Sequence, residues 1–301
     1  MFDYSERHTC VCGAPLGDSG TEVRKTSAWG EVRFVRCRRC ASWCQSPQIS
    51  PDSLAQWYDS DHYQGSPAER GAIYVNYLED EDERLVESRW RYRHDLSPFL
   101  PEYPGHVLEI GCASGSLLSV VRDAGHRVTG VDMSRRFAAA ASRLYQLDVY
   151  VGDFTSVELP SAPFDMVLMF GTVCNLPDLP EALAKVRMVL RPGGRLVLNL
   201  PAADSAVARL YRSKFWMFTP SVSTFMSIQG CRVALERAGL QVTRVRTDRQ
   251  RPSMRKLLKH AGARGLLAAL ERIGLVGLTA PWPVPIPGVF LIHATAASAG
   301  R

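Results

Sequence analysis

Two groups of residues in this 301-residue chain have the type and spacing to do chemistry. The first is a set of thiols near the start, Cys10-x-Cys12 and Cys37-x-x-Cys40. Four thiolates at tetrahedral geometry suit Zn²⁺, and such a site can fold a segment too small to have a core of its own. The first pair has one intervening residue where two are usual, so Cys44 and His8 stand as alternative ligands. Free or redox-active thiols are the competing reading. The second group lies in "VLEIGCASGS", Val107 to Ser116. An apolar strand there runs through Glu109 into a turn with Gly111, Ala113 and Gly115. Asp132 ends the next strand, where a carboxylate can accept both hydroxyls of a ribose. Asp153 ends the third. A NAD site would be expected to show G-x-G-x-x-G. The spacing here, Glu109-x-Gly111-x-x-x-Gly115, suits a nucleoside with no pyrophosphate to cradle.

Positioning that second group requires a regular scaffold, and the chain after Pro104 has one. Strand-like "HVLEIG", "RVTGVD", "DVYVGD", "FDMVLMFG" and "RLVLNL" alternate with helical stretches at Ser116–Ala124, after the N-cap candidate Ser134, and at Leu179–Leu190. This order predicts a parallel sheet covered on both faces. "RPGG" reads as a turn before the fifth strand. A helix over Ser227–Ala238 is stopped by Gly239. "LQVTRVRT" and "GVFLIHATA" read as two late strands, the second approached by an extended, polyproline-like "PWPVPIP". The expected organisation is a Cys-rich module at 1–50, an aromatic and charged segment at 51–104, and an α/β domain at 105–301. In the middle segment, Leu85, Trp90 and Leu96 have helical spacing. The acidic run Glu79–Glu83 suits a solvated face or a helix N-terminus.

Composition narrows the class further. With 46% apolar residues the chain is of globular type, and its formal charge of +6 permits nucleic-acid contact without demanding it. The opening MFDYSERHTC has no apolar core, so no secretory signal is expected. The longest uncharged run, Ile273–Ile292, contains Pro281, Pro283, Pro285 and Pro287 and cannot be one membrane helix. A cytoplasmic location with reduced thiols follows as the expectation. Cys112, Cys174 and Cys231 read as small core residues. Leu257, Leu258, Leu266, Leu267, Leu270 and Ile273 form an apolar stripe, read as ordinary helix packing, a pocket wall or a homodimer contact.

"LEIGCASG", "GVDMS", "VGDF", "FDMVLMFGTVCNLPDLPEAL", "VLRPGGRLVLNLP" and "LERAGLQV", in this order, resemble class I S-adenosylmethionine-dependent methyltransferases over Val107 to about Ala296. The resemblance implies a Rossmann-like seven-stranded sheet whose last strand runs antiparallel. It implies a cofactor-contacting set of Glu109, Gly111, Ala113, Gly115, Asp132, Met133, Asp153, Phe154 and Phe170. Within that set it puts Gly111 and Gly115 near the methionine part, Asp132 on the ribose, and Met133, Asp153 and Phe154 at the adenine. The Cys pairs followed by "LAQWYDSDHYQG" are similar to bacterial methyltransferases with an N-terminal zinc module. Those act in sugar, polysaccharide and natural-product pathways. In that group the tyrosine segment is implied to cover the cofactor pocket, which makes Tyr58, His62 and Tyr63 lid or active-site candidates.

Relatives of this kind often carry Glu-His after the fourth strand. This chain has Cys174-Asn175 there, and no histidine in "FTPSVSTFMS". The expected catalytic residues are therefore His62, Tyr63 and Asn175, with Cys174 read as core. The expected function is methyl transfer to a small-molecule acceptor. Two other readings stay open: a ribosomal RNA base methyltransferase, suggested by Arg33, Arg36, Arg38 and Arg39 around the second Cys pair, and a non-catalytic cofactor-binding scaffold. Against RNA, no Asn/Asp-Pro-Pro-Tyr motif follows the fourth strand and aromatics are not interleaved with the basic runs.

Overall fold

The computed structural model describes residues 1–17, 21–27, 29–60, 63, 78, 81–102, 104–159, 163–251, 265, 269–270, 272 and 283–296. His62 lies outside them, as does the apolar stripe except for Leu270.

The elements among the described residues of the first fifty are strands: β1 (Tyr4–Ser5), β2 (Glu22–Ser27), β3 (Gly30–Arg36), β4 (Trp43–Gln45) and β5 (Gln48–Ile49). β2 and β3 form an antiparallel hairpin, β4 pairs with β3, and β1 pairs with β5. Helix α1 (Pro51–Asp59) follows, with Ser50 accepting from the Ser53 amide at 3.2 Å and proline at the first turn. Helix α2 (Glu81–Arg91) has Glu81, Asp82 and Glu83 in its first turn and Arg89 and Arg91 in its last. Both placements favour the helix dipole, so Glu81, Asp82 and Glu83 of the acidic run serve as a helix start. A π-helical turn (Tyr92–Leu96) and a 3₁₀ turn (Ser97–Phe99) end this segment.

The α/β part comprises β6 (His106–Ile110), α3 (Ser116–Asp123), β7 (Arg127–Asp132), α4 (Arg135–Tyr145), β8 (Val149–Val151), β9 (Phe164–Met169), α5 (Leu179–Val189), β10 (Leu190–Pro201), α6 (Ala206–Tyr211), β11 (Thr224–Phe225), α7 (Ile228–Arg237), β12 (Leu240–Gln250) and β13 (Val284–Ala296). Seven strands make one sheet in the order β12-β13-β10-β9-β6-β7-β8. The pairs from β10 through β9, β6 and β7 to β8 are parallel, and β13 runs antiparallel to both neighbours. This is the Rossmann-like methyltransferase sheet that the motif order implies. Both faces are covered. On β9, Val167 and Met169 join one buried cluster while Met166 and Leu168 join another. Ser134 caps α4 and Gly239 follows α7 with φ of 75°.

Three features differ from the sequence reading. "RPGG" does not separate helix from strand: β10 already starts at Leu190, and the turn survives as a register break between Leu190 and Arg195. "PVPIP" is not a separate polyproline approach, because β13 begins at Val284 and Pro285 sits opposite Arg249. Prolines are tolerated there because β10 pairs with β13 only from Val289 onward, so this end needs no amide donors on the β10 side. Finally, the sheet of the N-terminal segment is completed by β11, more than a hundred residues away in sequence, in the order β11-β4-β3-β2. Among the described residues no helix is long and apolar enough to cross a membrane.

Candidate active site

A cavity of about 330 Å³ opens at the C-terminal ends of β6, β7, β9 and β10. Parallel sheets place strand ends, and hence loops and helix starts, on one side, and ligands bind there. Glu109, Gly111 and Ala113 from the end of β6, Asp132 and Met133 from β7, and Gly152 and Phe154 after β8 line it. Phe170, Thr172, Asn175, Leu176 and Pro177 follow β9, and Asn199 and Gln250 come from β10 and β12. Tyr58 and Tyr63 close another side. Tyr63 packs edge-on to Tyr58, with centroids 4.9 Å apart, and lies 6.4 Å from Phe137.

The β6 turn is shaped by sterics. Gly111 has φ of 72°, and a Cβ there would stand 2.3 Å from Thr172 Oγ1. Gly115 has φ of 81° and starts α3, and a Cβ would meet Leu147 at 2.7 Å. Both positions need glycine twice over, for conformation and for room. Gly115 does not line the cavity; it lets α3 pack behind the turn. Asp153 is not a lining residue either: its Oδ1 accepts from the Thr155 amide at 3.0 Å and its carbonyl from the amides of Ser156 and Val157, so it shapes the turn that presents Gly152 and Phe154.

Two carboxylates dominate the electrostatics. Asp132 accepts from the Ala113 amide through Oδ2 and from the Ser134 amide through Oδ1, each at 2.8 Å. Burial pushes its carboxyl up to about 6 despite these two amides. Glu109 is 4% exposed, and among the described residues its Oε2 has no hydrogen-bond partner. Burial pushes it up to about 8; Arg84 and Arg91 oppose the shift, and Asp132 adds to it. A buried acid with an orphaned oxygen facing a cavity is matched by a ligand that brings a cationic donor.

Helix α2 supplies a wall that sequence reasoning missed. Arg84, Glu87, Ser88 and Arg91 all line the cavity. Their spacing of i, i+3, i+4 and i+7 marks one helix face, and that polar stripe was the available signal. Arg91 reaches Glu87 at 3.3 Å, Asp95 at 3.3 Å and Asp248 at 3.1 Å, and its guanidinium lies 4.4 Å over the Phe170 ring. Burial works against the Arg91 charge; Asp248, Glu87 and Asp95 more than offset it and raise its pKa. Asn199 joins this network, accepting from the Gly171 amide at 2.7 Å and donating to Asp248 at 3.3 Å.

The structure brings Cys10, Cys12, Cys37 and Cys40 together away from the cavity, with all four sulfurs within 4.8 Å of one another. Cys10 and Cys40 are 3.5 Å apart, and Cys12 and Cys37 3.7 Å. A tetrahedron of Zn–S bonds has an S···S edge of about 3.8 Å, so the donor set fits that ion. The short first pair is accommodated by a turn in which Gly13, with φ of 80°, donates to the Cys10 carbonyl at 2.7 Å. Cys44 is buried nearby and His8 is exposed, and neither belongs to the group of four. Cys174 is 3% exposed, packed in the core, and burial pushes its thiol up to about 12.

Comparison with known proteins agrees with the sheet. The family described as "Methyltransferase domain" matches residues 79–245, and the chain belongs to that family. A malonyl-[acyl-carrier protein] O-methyltransferase of Enterobacter lignolyticus is 38% identical over 100 residues, covering 33% of this chain and 40% of that protein. A 27-O-demethylrifamycin SV methyltransferase of Amycolatopsis mediterranei is 29% identical over 164 residues, covering 50% of this chain and 58% of that protein. In both the match spans less than two thirds of the relative. A chain of the solved Haloferax volcanii complex containing the Trm112 methyltransferase activator shares the fold, with a TM-score of 0.51 at 18% identity over 75% of this chain and 96% of that one.

Proposed function

We propose that this protein transfers a methyl group from S-adenosylmethionine to a small-molecule acceptor. The observation that carries the reading is the pairing of Asp132 and Glu109 at adjacent strand ends above a glycine turn, in a chain of the methyltransferase family. Asp132 already holds two amides, and the free lone pairs of its oxygens suit the two ribose hydroxyls. Met133 and Phe154 offer apolar faces for adenine. The orphaned Oε2 of Glu109 suits the ammonium of the methionine part.

The bound cofactor supplies an activated methyl on a sulfonium centre. The chain's part is then to align the acceptor, exclude water and manage one proton. Asn175, whose Nδ2 donates to the Gly171 carbonyl at 3.2 Å, and Tyr63 stand on the cavity wall as orienting groups. His62 is the general-base candidate next to Tyr63. The relatives named above act on a carrier-bound malonyl group and on a rifamycin, which supports a small acceptor of biosynthetic type, modified in a reducing compartment where four thiolates can hold structural zinc.

The test uses methyl-labelled S-adenosylmethionine with three acceptor pools: small metabolites from a cell extract, total RNA, and protein. Label entering the small-molecule pool, with one S-adenosylhomocysteine formed per methyl transferred, is the expected outcome. Label entering RNA alone, with binding that falls steeply with salt, contradicts it.

A further inference from the structure

A continuous run of hydrogen bonds joins the thiol module to the cavity wall. The loop Cys174–Pro177 follows β9, and Asn175, Leu176 and Pro177 line the cavity. Toward the sheet it is tied by the Asn175 amide donating to the Thr172 carbonyl at 2.7 Å. On its other side the partners belong to the N-terminal segment and to β11. Gln48 Nε2 donates to the Pro177 carbonyl at 2.7 Å. The amides of Ser223 and Thr224 donate to the Cys174 carbonyl at 2.9 and 3.0 Å. Ser223 is held in turn, its carbonyl accepting from the Gln45 amide at 2.9 Å and from Arg7 Nη1 at 2.9 Å. Arg7 Nη1 also donates to Gln48 Oε1 at 3.1 Å, so both ends of the Gln48 amide are engaged.

The thiol cluster sits one step behind this layer. Ser227, the N-cap of α7, donates through Oγ to the Cys40 carbonyl, and its amide donates to Ser42 Oγ at 3.0 Å. A Cβ on Gly13 would meet the Arg237 guanidinium at 2.4 Å, so the first Cys turn is pressed against α7 as well. Gln45 and Gln48 are 0% and 8% exposed. Polar side chains this buried cost free energy unless they are satisfied, and here the carbonyls that satisfy their amide nitrogens belong to the cavity loop and the β11 approach.

We propose that the Cys-rich module is the outer wall of the substrate cavity, with Gln48 the positioning residue that fixes the Asn175–Pro177 loop and Arg7 the group that orients Gln48. The module is thereby part of the binding machinery. Loss of its order releases the loop that carries Asn175 while the β6–β7 end of the cavity, held by its own backbone, keeps its shape. The meaning of this coupling for methyl transfer rests on the function proposed above; the coupling itself does not.

Hydrogen exchange read by mass spectrometry on the full-length protein tests it. The peptides to follow span 170–178 and 221–226, with 22–36 and 106–132 as internal references. Gln48→Met keeps the side chain's length and removes the amide. It is expected to speed exchange in the 170–178 peptide about tenfold, the loss of one buried hydrogen bond, with both reference peptides unchanged. Arg7→Gln should give a smaller change in the same peptides. Cys37→Ser combined with Cys40→Ser should release 22–36, 170–178 and 221–226 together and leave 106–132 protected. Unchanged exchange in 170–178 in Gln48→Met, or a double Cys variant that releases 22–36 alone, overturns the proposal. Titration of the unaltered protein with S-adenosylhomocysteine is read separately: absence of binding contradicts the methyl-transfer reading and leaves the exchange result standing.

Discussion

The thiol cluster and the strand-end cavity gather reactive side chains by opposite means. The cluster's four ligands come from two short turns, with positive φ at Gly13 and Ala41, on strands of two to seven residues. Its sulfurs are buried and lie within 4.8 Å of one another. Four thiols this close fit a bound Zn²⁺, and on that reading the order of the cluster is expected to depend on the metal. In the cavity, Asp132 and Glu109 stand at the ends of adjacent paired strands, and main-chain amides hold Asp132. That end is preorganised by the sheet, with burial working against the charge of its acids. One region therefore breaks when a ligand is removed; the other responds to pH and to loss of a single contact.

The largest effect is expected in the module. Elemental analysis of the parent should find one zinc per chain, and Cys37→Ser with Cys40→Ser should abolish it. Most of the metal's contribution to folding, on the order of 10 kcal/mol for structural zinc sites, should go with it. A metal-free parent with an ordered N-terminal segment contradicts a structural zinc at the four cysteines.

In the cavity, Glu109 is neutral in the folded protein up to about 8. Because its pKa is raised on folding, its stabilising contribution is complete below the ordinary carboxylate range and is lost as pH rises toward 8. Glu109→Gln should remove that loss and make the ligand-free protein more stable than the parent at pH 8.5, on the order of 3 kcal/mol by denaturant unfolding. Equal pH profiles for the two proteins contradict the assignment.

His293 gives the opposite sign. It is 1% exposed, neither ring nitrogen has a partner among the described residues, and burial lowers its pKa to about 4, with Arg195, Arg244 and Arg246 adding to the shift. The unfolded chain takes up a proton near 6.5, so stability falls as pH drops from 6.5 toward 4. His293→Leu should recover about 1–2 kcal/mol at pH 5 and little at pH 8. The smallest effect is at the loop: Asn175→Ala should raise KM for the acceptor by about threefold to tenfold and lower kcat less, as loss of one orienting hydrogen bond does.

Much of this architecture was legible in the residues. The strand ends at Glu109 and Asp132 and the turn carrying Phe154 could be read because apolar strands stop at recognisable turns, and the four cysteines because their spacing has few other uses. Arg84, Glu87, Ser88 and Arg91 were not read, because a polar helix face looks alike whether it meets water or a polar cavity. The role of Asp153 as a turn former was not separable from a ligand contact, since a carboxylate after a strand serves either. The pairing of β11 with β4 was invisible for a different reason. A two-residue strand has no periodicity, and its partner is set by tertiary packing of Gln45 and Ser223.

The Asp132 end of the cavity is proposed to bind the nucleoside of S-adenosylmethionine. The most direct measurement is calorimetric titration of S-adenosylhomocysteine into the parent and into Asp132→Ala, with circular dichroism confirming that both are folded. The prediction is one site per chain in the parent and a loss of about 1.5–3 kcal/mol in the variant, the value of charge-assisted contacts to two hydroxyls. Equal affinity in the two proteins, or no binding to the parent, would contradict it.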